Sequence, residues 1–148
     1  MDESTRNTNN KILEADLCYE IQGAIYKVAN KYGRGLKEKI YQKALAEELE
    51  KRKLKFEEQK RINIYSLDSG KILGTYIPDF IIEDKIIIEI KATSFTIRTD
   101  IDQQRSYLRT STYEIGYLVN FSTPELDMRR SIYTNDRKSF IALLHKDS

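Results

Sequence analysis

The stretch Gly74 to Lys91, GTYIPDFIIEDKIIIEIK, constrains the fold more than any other part of this sequence. Two apolar runs rich in Ile, Tyr and Phe, bounded by Gly74 and by the charged Glu83-Asp84-Lys85, read as strands joined by a turn. Alternation puts Ile87, Glu89 and Lys91 on one face of the second strand and Ile86, Ile88 and Ile90 on the other. A hairpin through the turn brings Asp79 beside Glu89. Two carboxylates and an ammonium are then gathered on a sheet otherwise made of isoleucine. Clustered carboxylates repel, and partial burial raises that cost unless a cation joins them. Oxygen ligands of this kind suit a hard divalent ion, Mg2+ or Mn2+. Taken alone, Glu89-x-Lys91 also fits a plain amphipathic strand with its isoleucines inward and its charges in solvent.

Three motifs weigh against the plain reading. Pro78-Asp79 followed by Glu89-Ile90-Lys91 resembles the signature of the PD-(D/E)XK nuclease superfamily. Gly35-Leu36-Lys37-Glu38-Lys39-Ile40-Tyr41 is similar to the motif of the GxxExxY proteins, a small branch usually placed in that superfamily. Gln103-Gln104-Arg105-Ser106-Tyr107 is similar to the Gln-x-x-x-Tyr helix motif of its RecB-type and phage-exonuclease members. They occur in the expected order, and the resemblance covers residues 10 to 133. It implies a restriction-endonuclease-like α/β fold with an αβββαβ core, in which a mixed four-stranded sheet is flanked by helices. It also implies an Mg2+- or Mn2+-dependent phosphodiesterase acting on nucleic acid, with DNA the expected substrate. Asp79, Glu89 and the backbone carbonyl of Ile90 would hold the ion, and Glu38 would complete that site or support a second ion. Lys91 would act on the attacking water and the transition state, and Gln103 and Tyr107 on substrate or on water around the site.

The rest of the chain reads in the same order. Residues 1–10 are polar and expected to be loose, with Asn9-Asn10 as candidate caps. Leu13, Leu17, Ile21, Ala24, Ile25 and Val28 recur at helical spacing within Lys11 to Tyr32. Gly33-Arg34-Gly35 breaks that helix, and a second runs from Leu36 to Arg52. Its Glu38 points within about 20° of Leu45 and Leu49, with Tyr41 on the same side. An acid in an apolar stripe wants a partner, although a first-turn Glu is also favourable at a helix N-terminus. Lys51-Arg52-Lys53-Leu54-Lys55 closes the helix as a charge run, read as solvated surface.

Phe56 to Tyr65, Lys71 to Ile82 and Lys85 to Lys91 give a three-stranded antiparallel meander, with Leu67-Asp68-Ser69-Gly70 as its first turn. Thr99 and Asp102 suggest a capping box opening the next helix, on which Gln103 and Tyr107, four apart, share a face. Ordinary packing on the sheet would produce the same pair. Tyr113 to Phe121 is a strand expected to run parallel to the Glu-x-Lys strand, since a helix crosses between them. Leu126 to Tyr133 reads as an added C-terminal edge strand, its Arg129 and Arg130 discouraging edge pairing rather than binding phosphate. Lys138 to His145 is expected to close with a short helix, and His145, near the chain end, is not a catalytic candidate.

With 148 residues, 32% of them charged, and a net charge of +2, residues 11–148 fit one nuclease-like domain with a real core. The pI of about 8.5 permits nucleic-acid binding without demanding it. The single cysteine, Cys18, excludes an internal disulfide and a cysteine zinc cluster, and reads as a core thiol. No apolar stretch nears ~20 residues and no signal-peptide pattern opens the chain, so no membrane is expected and the cytoplasm is. A homodimer or a larger complex is compatible with the sequence. Two other readings keep the fold: a nucleic-acid-binding or regulatory module without turnover, and a purely structural or interaction domain. Carboxylate-dependent Mn2+ binding separates the hydrolase from both.

Overall fold

The structure is a computed structural model and describes residues 13–144. Asn9, Asn10 and His145, with the segments around them, lie outside the described residues. Two helices come first, α1 (Ala15–Tyr32) and α2 (Glu38–Lys51). Five short strands follow: β1 (Phe56–Glu58), β2 (Ile62–Tyr65), β3 (Ile72–Tyr76), β4 (Phe80–Ile82) and β5 (Ile86–Lys91). Helix α3 (Arg98–Thr110) then crosses to β6 (Ile115–Asn120), and β7 (Asp127–Ile132) and a short α4 (Phe140–Leu144) complete the order.

The main sheet is β1-β4-β5-β6-β7, with β5 and β6 parallel in register from Ile86↔Ile115 to Lys91↔Asn120 and the other pairs antiparallel. This is the expected αβββαβ arrangement with its added edge strand. Helices α1 and α2 cover one face, where Ile21, Ile25, Tyr41, Leu45 and Leu49 pack on Ile86, Ile88, Ile90, Tyr117 and Val119. Cys18 is buried in the same cluster. On the other face Leu108 of α3 packs with Ile62, Ile81 and Ile87. Alternation on β5 is therefore as expected, but both of its faces are covered. Each isoleucine so buried contributes about 1.5–3 kcal/mol. No helix among the described residues is long and apolar enough to cross a membrane.

Three local expectations are corrected. The two long strands of the meander are each cut in two. Gln59 takes a left-handed conformation (φ 56°) between β1 and β2, and Ile77-Pro78-Asp79 separates β3 from β4, where Pro78 can donate no ladder hydrogen bond. β2 and β3 consequently leave the main sheet as a two-stranded ribbon, and Gly74 lies inside β3 rather than bounding it. There is also no capping box at Thr99. Helix α3 starts at Arg98 behind an extended Ile97 without a side-chain cap, and Asp102 turns outward to pair with Arg98 at 3.0 Å.

The expected turns are present. Glu83 and Asp84 both have positive φ (53° and 54°), and the Lys85 N–H donates to Ile82 O at 3.0 Å, a tight turn fixing the β4–β5 register. Gly33 and Gly35, at φ 66° and 103°, carry the bend between α1 and α2. The charge run at the end of α2 is partly structural: Arg52 pairs with Glu48 and with Glu20 of α1, both at 3.1 Å. Its guanidinium lies 2.8 Å from where a Cβ on Gly23 would stand, so the glycine leaves room for this pairing arm.

Candidate active site

Asp79 leads into β4 and Glu89 is third from the end of β5. The register Phe80↔Ile88 therefore sets them side by side. Each carboxylate engages the other strand's backbone: the Asp79 N–H donates to Glu89 Oε1 at 3.1 Å, and the Ile90 N–H donates to Asp79 Oδ2 at 2.7 Å. Pro78, buried just ahead of Asp79, fixes the chain where it turns into β4. Gln59, in the left-handed position between β1 and β2, donates its N–H to Asp79 O at 3.4 Å and reaches Asp79 Oδ1 from its side chain at 3.5 Å.

Three further groups face this pair. Tyr76, at the end of β3, lies beside the Glu89 carboxylate, and its ring stacks on Tyr107 of α3 with centroids 3.9 Å apart. Lys91, two residues past Glu89, reaches Asp100 of α3 at 3.8 Å. Glu38, the first residue of α2, feels the charges of Asp79, Lys91 and Asp100. Its neighbours Tyr41, Leu45 and Leu49 are buried, but Glu38 itself, at the very start of the helix, is exposed.

The electrostatics follow from this crowding. Burial, and then the Asp79 charge, push the Glu89 carboxyl up to about 7, against hydrogen bonds from the Asp79 amide and Tyr76 and the pull of Lys91. Burial also raises Asp79, opposed by its bonds to Ile90 and Gln59 and by Lys91. Glu38, though exposed, is raised by partial desolvation and by the Asp79 and Asp100 charges, against the pull of Lys91. The acids thus sit where ionisation is costly, and the Lys91 ammonium near them is shared with Asp100. Among the described residues no three acidic, His or Cys side chains are already drawn into an ion cage. In donor chemistry, hard carboxylate oxygens of raised basicity beside the Ile90 backbone, the set fits Mg2+ or Mn2+.

Helix α3 is held against β6 by Gln104, whose side-chain amide donates to Tyr117 O at 2.8 Å. A Cβ on Gly116 would stand 3.0 Å from that amide carbon, so the close approach of α3 needs a glycine there. Gln104 is therefore the buried member of the glutamine pair. Gln103 is exposed, on the flank it shares with Asp100 and Tyr107 at spacings of three and four residues. Sequence reasoning missed Asp100, Tyr76 and Gln59. Asp100 carried a usable signal, lying three residues before Gln103 and seven before Tyr107. Nothing in the sequence announced Tyr76 or Gln59, which reach the site only because the meander is broken.

Tyr41 explains the spacing from Gly35 to Glu38. Fully buried and stacked on Phe121 at 4.6 Å, it donates its hydroxyl to Gly33 O at 2.6 Å and accepts from the Leu36 N–H at 3.2 Å. The Gly35 N–H meanwhile donates to Ser122 Oγ at 3.3 Å. The bend before α2 is thereby tied down, which sets where Glu38 begins.

The sequence model of the PD-(D/E)XK nuclease superfamily matches residues 15–131. No curated protein matches the chain. Among solved structures it is similar to the crystal structure of SSO0001, at 21% identity and a TM-score of 0.49, over 72% of this chain and 55% of that one. It thus spans little more than half the length of that protein. The family match runs from the first residue of α1 into β7 and takes in both acids of the β4–β5 pair, and the chain belongs to the PD-(D/E)XK nuclease superfamily.

Proposed function

We propose that this protein is a metal-dependent phosphodiester hydrolase acting on nucleic acid, with DNA its substrate, and that it falls in the GxxExxY branch through Gly35, Glu38 and Tyr41. The observation that carries the reading is the interlocked Asp79–Glu89 pair, half-buried, raised in basicity and flanked by Lys91. Asp79, Glu89 and the Ile90 carbonyl would hold Mg2+ or Mn2+, and Glu38 would complete that site or support a second ion. Such an ion lowers the pKa of a water and offsets charge on the scissile phosphate.

The chain's own groups do the rest. The backbone amides of Asp79 and Ile90 fix the two carboxylates, so little reorganisation is needed when substrate arrives. Lys91, as its ammonium, orients the attacking water and stabilises charge developing on the phosphate. Asp100 holds the Lys91 ammonium in place. Tyr107, braced by Tyr76, and the exposed Gln103 offer a phenol and an amide to substrate phosphate or to water beside it.

A screen of labelled single-stranded, duplex, flap and junction DNA with Mg2+ or Mn2+ tests this. Wild type should cut at least one substrate, and Lys91→Ala should bind Mn2+ yet lose cleavage by about a hundredfold or more. Binding without cutting by wild type would instead favour a module that has kept the fold without turnover. The pairing of Lys91 with Asp100 is the feature most compatible with that second reading.

A further inference from the structure

Between the end of β5 at Lys91 and the start of α3 at Arg98 runs a loop that is pinned from inside the protein. Asn120, fully buried at the end of β6, commits its whole amide to this junction. Its Oδ1 accepts from the Thr93 N–H at 3.2 Å and the Ser122 N–H at 3.1 Å. Its Nδ2 donates to Thr93 Oγ1 at 2.9 Å and to Thr96 Oγ1 at 3.2 Å. Thr93 Oγ1 in turn donates to Phe95 O at 2.9 Å, and Ile97 O accepts from the Asp100 N–H at 3.2 Å where the helix begins.

A loop held this way cannot fold its side chains back. Phe95 stands 69% exposed and Ile97, two residues on, 46% exposed. Isolated exposed apolar residues are ordinary. Their position here is not. Lys91 precedes Phe95 by four residues and Asp100 follows it by five, and both belong to the candidate site. Four extended residues span at most about 14 Å, so the ring stands within a few nucleotides of any phosphate held at Lys91. Arg98, exposed three residues on and paired with Asp102, adds a guanidinium to the same stretch. An aromatic face next to cations along a phosphate path is the usual chemistry for taking up unpaired bases.

We propose that Phe95, backed by Ile97, is a stacking platform for an unpaired base beside the scissile phosphate, so that the site takes strands that are single or locally opened there. This rests on the hydrolase reading above and narrows its substrate. The ring is placed by hydrogen bonds that do not involve it, so its removal leaves the loop and the acids intact.

The test uses fluorescence anisotropy with labelled single-stranded and duplex DNA of one sequence, in Ca2+, alongside a scan of a single abasic position along the strand. Phe95→Ala should weaken single-strand binding about tenfold and duplex binding less than twofold, while Phe95→Trp should retain it. At one position the abasic strand should bind wild type as weakly as the intact strand binds Phe95→Ala, with no further loss when both changes are combined. Equal single-strand affinity for wild type and Phe95→Ala overturns the platform and leaves the hydrolase reading standing. If Phe95→Ala instead dissociates a dimer in sedimentation with DNA binding unchanged, the surface is a protein interface and the proposal is wrong. Wild type that neither binds nor cuts nucleic acid removes the underlying reading and the platform with it.

Discussion

The two faces of β5 teach different lessons from one run of residues. Ile86, Ile88 and Ile90 look into the cluster under α1 and α2, where every neighbour is apolar and the strand is a packing element. On the opposite face Ile87 joins a smaller cluster, and then Glu89 and Lys91 stand where a second and third isoleucine would suit the alternation equally well. The first face gains from burial. The second gives up part of that gain to hold charge at the end of the sheet, and folded proteins concentrate such local conflicts at functional sites.

Mutating the dry face should cost the most. Ile88→Ala leaves a cavity in a fully buried position and should lower stability by about 2–5 kcal/mol, read as a drop in denaturation midpoint in urea. Mn2+ affinity of the remaining folded protein should not change. A loss of metal binding at temperatures well below unfolding would mean the two faces are not separable.

The polar face should show itself through pH. In metal-free buffer the Glu89 carboxyl titrates near 7 in the fold and near its ordinary 4.5 when unfolded, so the fold binds the proton more tightly. Its contribution is complete below about 4.5 and is lost as the pH rises through 7, a fall of up to about 3 kcal/mol in denaturant-derived stability. Asp79→Asn removes the neighbouring charge and should flatten that slope. A metal-free stability that rises across the same window would contradict the crowding described here.

Much of this difference could be read from the sequence, and the part that could not has a physical reason. The hairpin that joins Asp79 to Glu89 followed from period-two alternation and a charged turn, both local properties. The parallel pairing of β5 with β6 followed from the helix between them. The breaks at Gln59 and Pro78 did not, because a strand pattern does not reveal which sheet each half will join. Tyr76 and Gln59 were therefore invisible as neighbours of the acids. Asp100 was hidden by the nearby Thr99 and Asp102, which mimic a cap, and the choice between Gln103 and Gln104 turned on one residue of helix phase. Glu38 was placed by its motif more than by its stripe, since the end of a helix escapes the periodicity of its middle.

Smaller effects should come from the rim. Gln103→Ala and Tyr107→Phe should each lower cleavage by about three- to tenfold with Mn2+ affinity and melting temperature nearly unchanged, since neither side chain is expected to touch the ion. An equal loss of metal binding would place them inside the ion's ligand shell and extend the polar face along α3.

The most direct test is calorimetric titration of Mn2+ into wild type and Asp79→Asn at pH 7.5, with melting temperatures measured in the same buffers. Wild type should bind, and Mn2+ should raise its melting temperature, because an ion that binds the folded form alone stabilises it. Asp79→Asn should melt at or above the metal-free wild type, as carboxylate repulsion is relieved, while its Mn2+ affinity falls by about tenfold or more. Wild type that ignores Mn2+, together with an Asp79→Asn variant that unfolds, would show that the acids of this face serve the fold and hold no metal.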